Sequence, residues 1–422
     1  MQMISEDYIL ILDKKKTFML DFNTIEKLDS IETPFYYYDM ELFGRSLDAL
    51  AEAAEKYDIN VHYAIKANAQ ERLLKLIAAK GFGADCVSGN EVLHSHACGF
   101  PADKIVYAGV GKSDREINDA MQLGIEAFNC ESLQEIFVIN EMAHLNGLKA
   151  NVSVRINPDI DAHTHKYVTT GLYENKFGIS AHEFDKLIDL IGRSGHINFI
   201  GLHFHIGSQI TRVKEVYSLE CERVNGIVKY FEERGLQVKN INLGGGLGVD
   251  YEDPDGEPVA DFRKWMQTIT EKIVRRPGQK IHIEPGRSLV AQCGTLISRV
   301  LFVKSGETKN FLILDAGMND LIRPALYGAY HKIENLSASL RSYFLPNMQT
   351  YDIVGPVCES SDVWGAGRLL PLSVRGDLMA IRSTGAYGQV MSSRYNMKDL
   401  APAVYSDMLD GAPLKKDYFA KI

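Results

Sequence analysis

From Phe35 to about Pro285 the chain alternates between short β-forming runs and longer amphipathic helical stretches. Strands are expected at Phe35–Tyr38, Val61–Ile65, Gly83–Val87, Ile105–Ala108, Ala127–Asn129, Lys149–Ile156, Ile197–His205, Asn240–Leu243 and Lys280–Glu284. Helical patterns such as Leu42–Tyr57, Gln70–Ala79, Asp114–Leu123 and Val216–Glu233 separate them. Strands joined through helices cannot pair as hairpins; they are crossover units and build a parallel sheet. About eight such units in roughly 250 residues predict an α/β fold of the closed (β/α)8 TIM type rather than an open doubly wound sheet. No Gly-x-Gly-x-x-Gly opens the first helix, which argues further against a dinucleotide-binding fold.

After about Leu289 the period changes. Thr295–Val303, Asn310–Leu314, Thr350–Val357, Leu369–Pro371 and Leu378–Ser383 read as strands without comparable helices between them. They predict a mostly β, Greek-key-like C-terminal domain. Tyr8–Leu12 and Thr17–Leu20 read as two further strands expected to join it. The expected organisation is N-terminal strands in 1–30, a barrel over 31–288 and the β domain over 289–422.

The chain has 422 residues, 45% hydrophobic and 24% charged, which suits soluble domains with full cores. A formal net charge of −9 argues against a general nucleic-acid or anionic-membrane surface. The six cysteines are scattered, with no Cys-x-x-Cys pair, so neither a disulfide framework nor a zinc site is expected, and metal ligands are expected nowhere. Acidic residues precede the first apolar run and lysines follow it, the reverse of a signal peptide. With no run of about 18 apolar residues for a membrane span, the expected location is the cytoplasm.

In a barrel of this type, chemistry gathers at the C-terminal ends of the strands. Lys66 follows one strand, and desolvation there can lower a lysine's pKa toward Schiff-base chemistry. Asp85 ends the next strand, and His203 and His205 end another. Gly244-Gly245-Gly246 lets backbone N–H groups converge on an anion such as phosphate, although a tight turn would also use glycine. Glu284 can face a heterocyclic nitrogen or form a structural ion pair, and His205 can lie flat on a ring or simply bond within the core. Together an aldehyde-reactive lysine, a phosphate cradle, a carboxylate and a flat ring partner match the needs of pyridoxal 5'-phosphate.

The runs Tyr63-Ala-Ile-Lys66-Ala-Asn68, His205-Ile-Gly-Ser208-Gln209, Gly244-Gly-Gly246 and Glu284-Pro-Gly-Arg287 resemble the signatures of one family. It is the ornithine/diaminopimelate/arginine decarboxylase group of the alanine-racemase-like pyridoxal enzymes. Arg155-Ile-Asn-Pro158 with Thr164-His165, Lys176-Phe-Gly178, Asp315-Ala-Gly-Met-Asn-Asp320, Arg323-Pro-Ala-Leu-Tyr327 and Gly355-Pro-Val-Cys358-Glu359-Ser-Ser-Asp362 resemble its diaminopimelate-acting branch. Diamine-forming relatives typically carry Cys-Asp where Cys358-Glu359 stands. The likeness covers nearly all of the chain after about residue 30.

That resemblance implies a decarboxylase, a carboxy-lyase turning meso-2,6-diaminopimelate into L-lysine and CO2 in a homodimer with active sites at the interface. It implies that Lys66 links the cofactor, Glu284 pairs with the pyridine nitrogen, His205 stacks on the ring and Asp85 is a pocket acid. Ser208, Gly244, Gly245, Gly246, Arg287 and Tyr387 would hold the phosphate end. Arg287, Arg323, Tyr327, Glu359 and Tyr387 would meet the substrate, and Cys358, from the partner subunit, would return a proton. A relative with altered substrate, a racemase or a non-catalytic homologue remain the alternatives. Two departures stand out: Met397-Lys398-Asp399 follows Tyr395-Asn396 where the family often has Arg-Pro, and Asn90 stands where a second glycine is common. Both are expected to lie away from the catalytic groups.

Overall fold

The computed structural model describes residues 20–158, 176–341, 347–412 and 414–415. Among the described residues, contacts divide the chain into two compact units. One spans Phe43–Val249 and Val259–Ala291, and the other takes the remaining residues.

The first unit is a closed barrel of eight parallel strands. Counting Phe35–Tyr38 in the other unit as β1, they are β2 (Ile59–Ala64), β3 (Gly83–Cys86), β4 (Ile105–Tyr107), β5 (Ala127–Cys130), β6 (Ala150–Arg155), β7 (Ile197–His203), β8 (Asn240–Asn242) and β9 (Lys280–Ile283). β2 closes the ring by pairing with β3 through Tyr63↔Ala84 and with β9 through Asn60↔His282. Local signals set the helices between them. Ser113 and Glu116 form a reciprocal capping box ahead of Asp114–Leu123, and Gly124 ends that helix at φ 73°. Ser88 and Ser132 likewise accept from the backbone N–H of Glu91 and Glu135. The outer layer is cemented by aromatic packing: fully buried Trp265, on helix Phe262–Lys272, lies 5.5 Å from Tyr217 on helix Val213–Glu232.

Nine strand-like runs were expected in the alternating region and eight close the barrel. The ninth, β1 (Phe35–Tyr38), belongs to the second unit, pairing antiparallel with β10 (Gly294–Ser305) and parallel with Ala403–Tyr405. Its sequence, Phe-Tyr-Tyr-Tyr, is buried on both faces, which a central sheet position satisfies as well as a barrel wall does. The same sheet contains β11 (Asn310–Leu314), β12 (Ile333–Asn335), β13 (Met348–Val354), β14 (Val363–Pro371), β15 (Leu378–Ile381) and β16 (Ala403–Tyr405). Its path runs β12-β15-β10-β11-β13-β14. Ile25 and Leu28, on helix Phe22–Asp29, pack with Phe35, Tyr37, Ile297 and Val404 to form its core. The strands expected in 8–12 and 17–20 lie outside the described residues but for Leu20, which is in no strand. The short strands β12 and β16 were not expected, since neither stands in the alternating strand–helix pattern that made the equally short β4 and β8 legible.

Among the described residues no helix is long and apolar enough to cross a membrane. All six cysteines are free; five are buried and Cys358 is exposed.

Candidate active site

β2 ends at Ala64, and a single 3-10 turn, Ile65–Ala67, carries Lys66. Small residues flank the lysine for a packing reason. The Ala64 N–H donates to Pro285 O at 3.1 Å, and a Cβ on Gly286 would lie only 3.1 Å from the Cβ atoms of Ala64 and Ala67. The Lys66 and Glu284-Pro-Gly-Arg287 segments therefore interlock across the β2/β9 seam, and only glycine fits at 286 without displacement. The Lys66 ammonium lies 3.5 Å from Asp85 Oδ2, which belongs to the adjacent strand. The lysine side chain keeps 38% of its exposure, so the deep desolvation expected from its strand-end position is not met by the protein alone.

Beneath the lysine the acids are buried. Glu284 follows β9, and its carboxylate meets His203 Nε2 at 3.1 Å and the Asn242 amide at 2.8 Å. Burial opposes its charge, but the charge and hydrogen bond of His203, with Lys66 nearby, outweigh burial and hold Glu284 well below the usual carboxylate range. Asp85 goes the other way, pushed up to about 6 by burial and then by the charge of Glu284. Its Oδ1 has no hydrogen-bond partner among the described residues. Two acids near one lysine thus have their pKa values driven apart, Glu284 down and Asp85 up.

His205 is half-buried and stays neutral, first through desolvation and then through the charges of Arg155 and Lys66. Its Nδ1 accepts from the Gly245 N–H at 3.2 Å, so a neutral ring carries its proton on Nε2. The Gly244–Gly246 triplet proves necessary for the barrel itself. A Cβ on Gly245 would stand 2.1 Å from Glu284 O, and Gly246 has φ 103° with Gly207 O only 2.6 Å from where its Cβ would be. Arg287, also buried, donates from Nη2 to Ser208 Oγ at 2.9 Å.

Sequence reasoning assigned no role to several groups in this unit. Asn242 and His203 hold Glu284, and both could have been found from strand alternation, since each sits two residues before Gly244 or His205. Buried Arg155 pairs with Glu131 at 2.8 Å, and Glu131 also accepts from Gly178 N–H at 2.8 Å. Lys112, with a side chain 1% exposed, pairs with Glu135 at 2.6 Å. These pairs join residues far apart in the sequence and left no local signal.

The remaining expected residues belong to the second unit. Arg323 opens the short helix Arg323–Tyr327 and is buried. Its Nη1 lies 3.0 Å from Tyr251 Oη and 2.9 Å from His331 Nε2, with the guanidinium 5.0 Å from the Tyr251 ring centroid. Tyr327 and Tyr387 are half-buried, and Tyr387 takes a left-handed backbone, φ 56°, rare for a bulky residue and typical of functional sites. Cys358 and Glu359 are exposed on the loop after β13. Asp362 organises that loop by accepting from Val357 and Met318 N–H at 2.8 and 2.7 Å. Cys358 N–H donates to Asn396 Oδ1 at 2.9 Å. The Met397-Lys398-Asp399 departure therefore starts one residue beyond a direct partner of Cys358, closer to a candidate catalytic group than expected.

The barrel unit offers an amine at its rim, a buried ionised carboxylate, an oriented neutral imidazole and an acid oxygen still lacking a partner. A pyridoxal phosphate fits these groups, and the fold and site define the chain as a pyridoxal-dependent enzyme. Residues 43–291 match the family described as pyridoxal-dependent decarboxylase, pyridoxal binding domain. The chain is 50% identical over 386 residues to the diaminopimelate decarboxylase of Bacteroides thetaiotaomicron, covering 91% of this chain and 98% of that one. It is 39% identical to that of Aquifex aeolicus, over 90% and 88% of the two chains. It also superposes on the crystal structure of diaminopimelate decarboxylase from Helicobacter pylori complexed with L-lysine. There the TM-score is 0.84 and the identity 36%, over 93% of this chain and 96% of that one. The chain belongs to the diaminopimelate decarboxylase family.

Proposed function

We propose that this chain is a carboxy-lyase that removes CO2 from meso-2,6-diaminopimelate to give L-lysine, the last step of lysine biosynthesis. The reading is carried by the barrel rim, where Lys66 stands 3.5 Å from buried Asp85, in the field that also holds Glu284 ionised. The substrate follows from relatives that match nine-tenths of the chain. When bound, pyridoxal phosphate supplies an electron sink for the charge left at Cα as CO2 departs.

The chain's own residues supply the rest. Lys66 provides the anchoring amine. Glu284, kept ionised by His203 and Asn242, holds a proton on the ring nitrogen. His205, its tautomer set by Gly245, presents a neutral face to the ring. Ser208, Arg287, Gly244 to Gly246 and Tyr387 receive the phosphate, and Asp85 stays beside the lysine as a pocket acid. Arg323, fixed by Tyr251 and His331, gives planar recognition of the distal carboxylate, and Arg287, Tyr327 and Tyr387 are the further candidate substrate contacts. Glu359 pairs with the distal ammonium, and Cys358 of the partner subunit in a cytoplasmic homodimer returns the proton to Cα.

A turnover panel of meso-diaminopimelate, lysine and ornithine tests the reading. Release of CO2 is expected from diaminopimelate alone, and a preference for either monocarboxylic diamino acid would overturn it.

A further inference from the structure

We propose that His62, Glu126 and His282 form a metal site inside the barrel, separate from the rim, that takes one divalent ion of the zinc class. The cysteine pattern gave no hint of it, because its ligands are two histidines and a carboxylate brought together by closure of the barrel. His62 is on β2 and His282 on β9, the two strands that close the ring, and Glu126 leads into β5. One donor atom from each residue lies within 4.8 Å of the others. Donors bound to tetrahedral zinc at about 2.1 Å stand about 3.4 Å apart, so the widest pair need close by no more than about 1.4 Å, within reach of side-chain rotation, to hold an ion.

The second observation is His282. The residue is 4% exposed, its ring stacks 5.1 Å from that of His62, and its Nε2 has no hydrogen-bond partner among the described residues. The hydrogen bond between His62 Nε2 and Glu126 at 2.8 Å accounts for those two atoms but leaves His282 Nε2, like His62 Nδ1, buried without a partner among the described residues. An ion ligated by all three uses it. Two imidazoles and one carboxylate suit zinc with an open fourth position, which a water fills. Glu126, 20% exposed where the other two are sealed, gives the entry route. Such an ion would tie the first and last barrel strands to the segment entering β5.

The test uses the full chain loaded with pyridoxal phosphate and dialysed free of excess cofactor and metal. Cobalt(II) titration followed by visible d–d absorption, and zinc retention after gel filtration measured by elemental analysis, are read alongside Tm. The expected result is one equivalent per chain, a cobalt band, and a rise in Tm with zinc. Glu126→Gln should weaken binding tenfold or more and His282→Asn should abolish the band. The exposed His144–His196 pair, 2.9 Å apart, is the rival ligand set, and His196→Asn should leave the band unchanged. No retained ion, a band that survives Glu126→Gln at full affinity, or a band lost in His196→Asn would overturn the proposal. Should His282→Asn fail to fold, Glu126→Gln, at the partly exposed ligand, decides.

Discussion

The two ends of the barrel hold similar parts in different electrostatic states. At the rim, His203 lies 3.1 Å from Glu284 and His205 stands nearby; toward the strand N-termini, His62 lies 2.8 Å from Glu126 with His282 stacked on it. Near Glu126 burial opposes charge on His62, but the hydrogen bond and charge of Glu126 raise its pKa, while burial and the His62 charge push His282 down to about 3. That end holds a matched pair and a neutral ring. The rim adds Lys66 and a second acid, so its charges cannot all be matched: Glu284 stays ionised and Asp85 is pushed up to about 6. The candidate catalytic end differs from the other end by this surplus of titratable groups held out of balance.

The largest contrast comes from Lys66→Ala, which should abolish CO2 release and remove the visible absorbance of bound cofactor; a coloured, active variant would break the comparison. Glu284→Gln should lower kcat by about 10²–10³ while the chain stays folded, since a neutral amide no longer holds the ring proton. Circular dichroism and turnover read that pair of outcomes.

A smaller effect belongs to Asp85. Its folded pKa of about 6 lies above its ordinary value of 3.8, so the folded cofactor-free protein binds more protons than the unfolded chain between those values. The associated stability is complete below about pH 4 and is lost as pH rises through 6. Asp85→Asn should flatten this slope by on the order of 2 kcal/mol, read by denaturant unfolding at several pH values. The smallest change is expected from Glu126→Gln in the metal-free protein: a loss of about 1 kcal/mol in stability with kcat unchanged. A large fall in kcat would mean the two ends are not independent.

Much of the barrel was legible in the chain because its signals are local. Alternating strand and helix periods, serine caps and a lysine two residues past a strand are read within windows of ten residues. Glu284, His205 and the glycine triplet were visible for the same reason, although the triplet turned out to be required by backbone contacts with Glu284 and Gly207. Membership of β1 was not legible, since four buried aromatic residues suit either sheet and partner choice depends on residues beyond position 290.

The sequence alone determined the barrel class, the candidate anchoring lysine and the family, because periodicity and contiguous motifs survive without knowledge of neighbours. Tertiary structure alone decided which acid at the rim has its pKa lowered and which raised, which tautomer His205 adopts, and that His62, Glu126 and His282 meet. A charge state depends on burial and on partners from other strands, and those exist only once β2 has closed against β9.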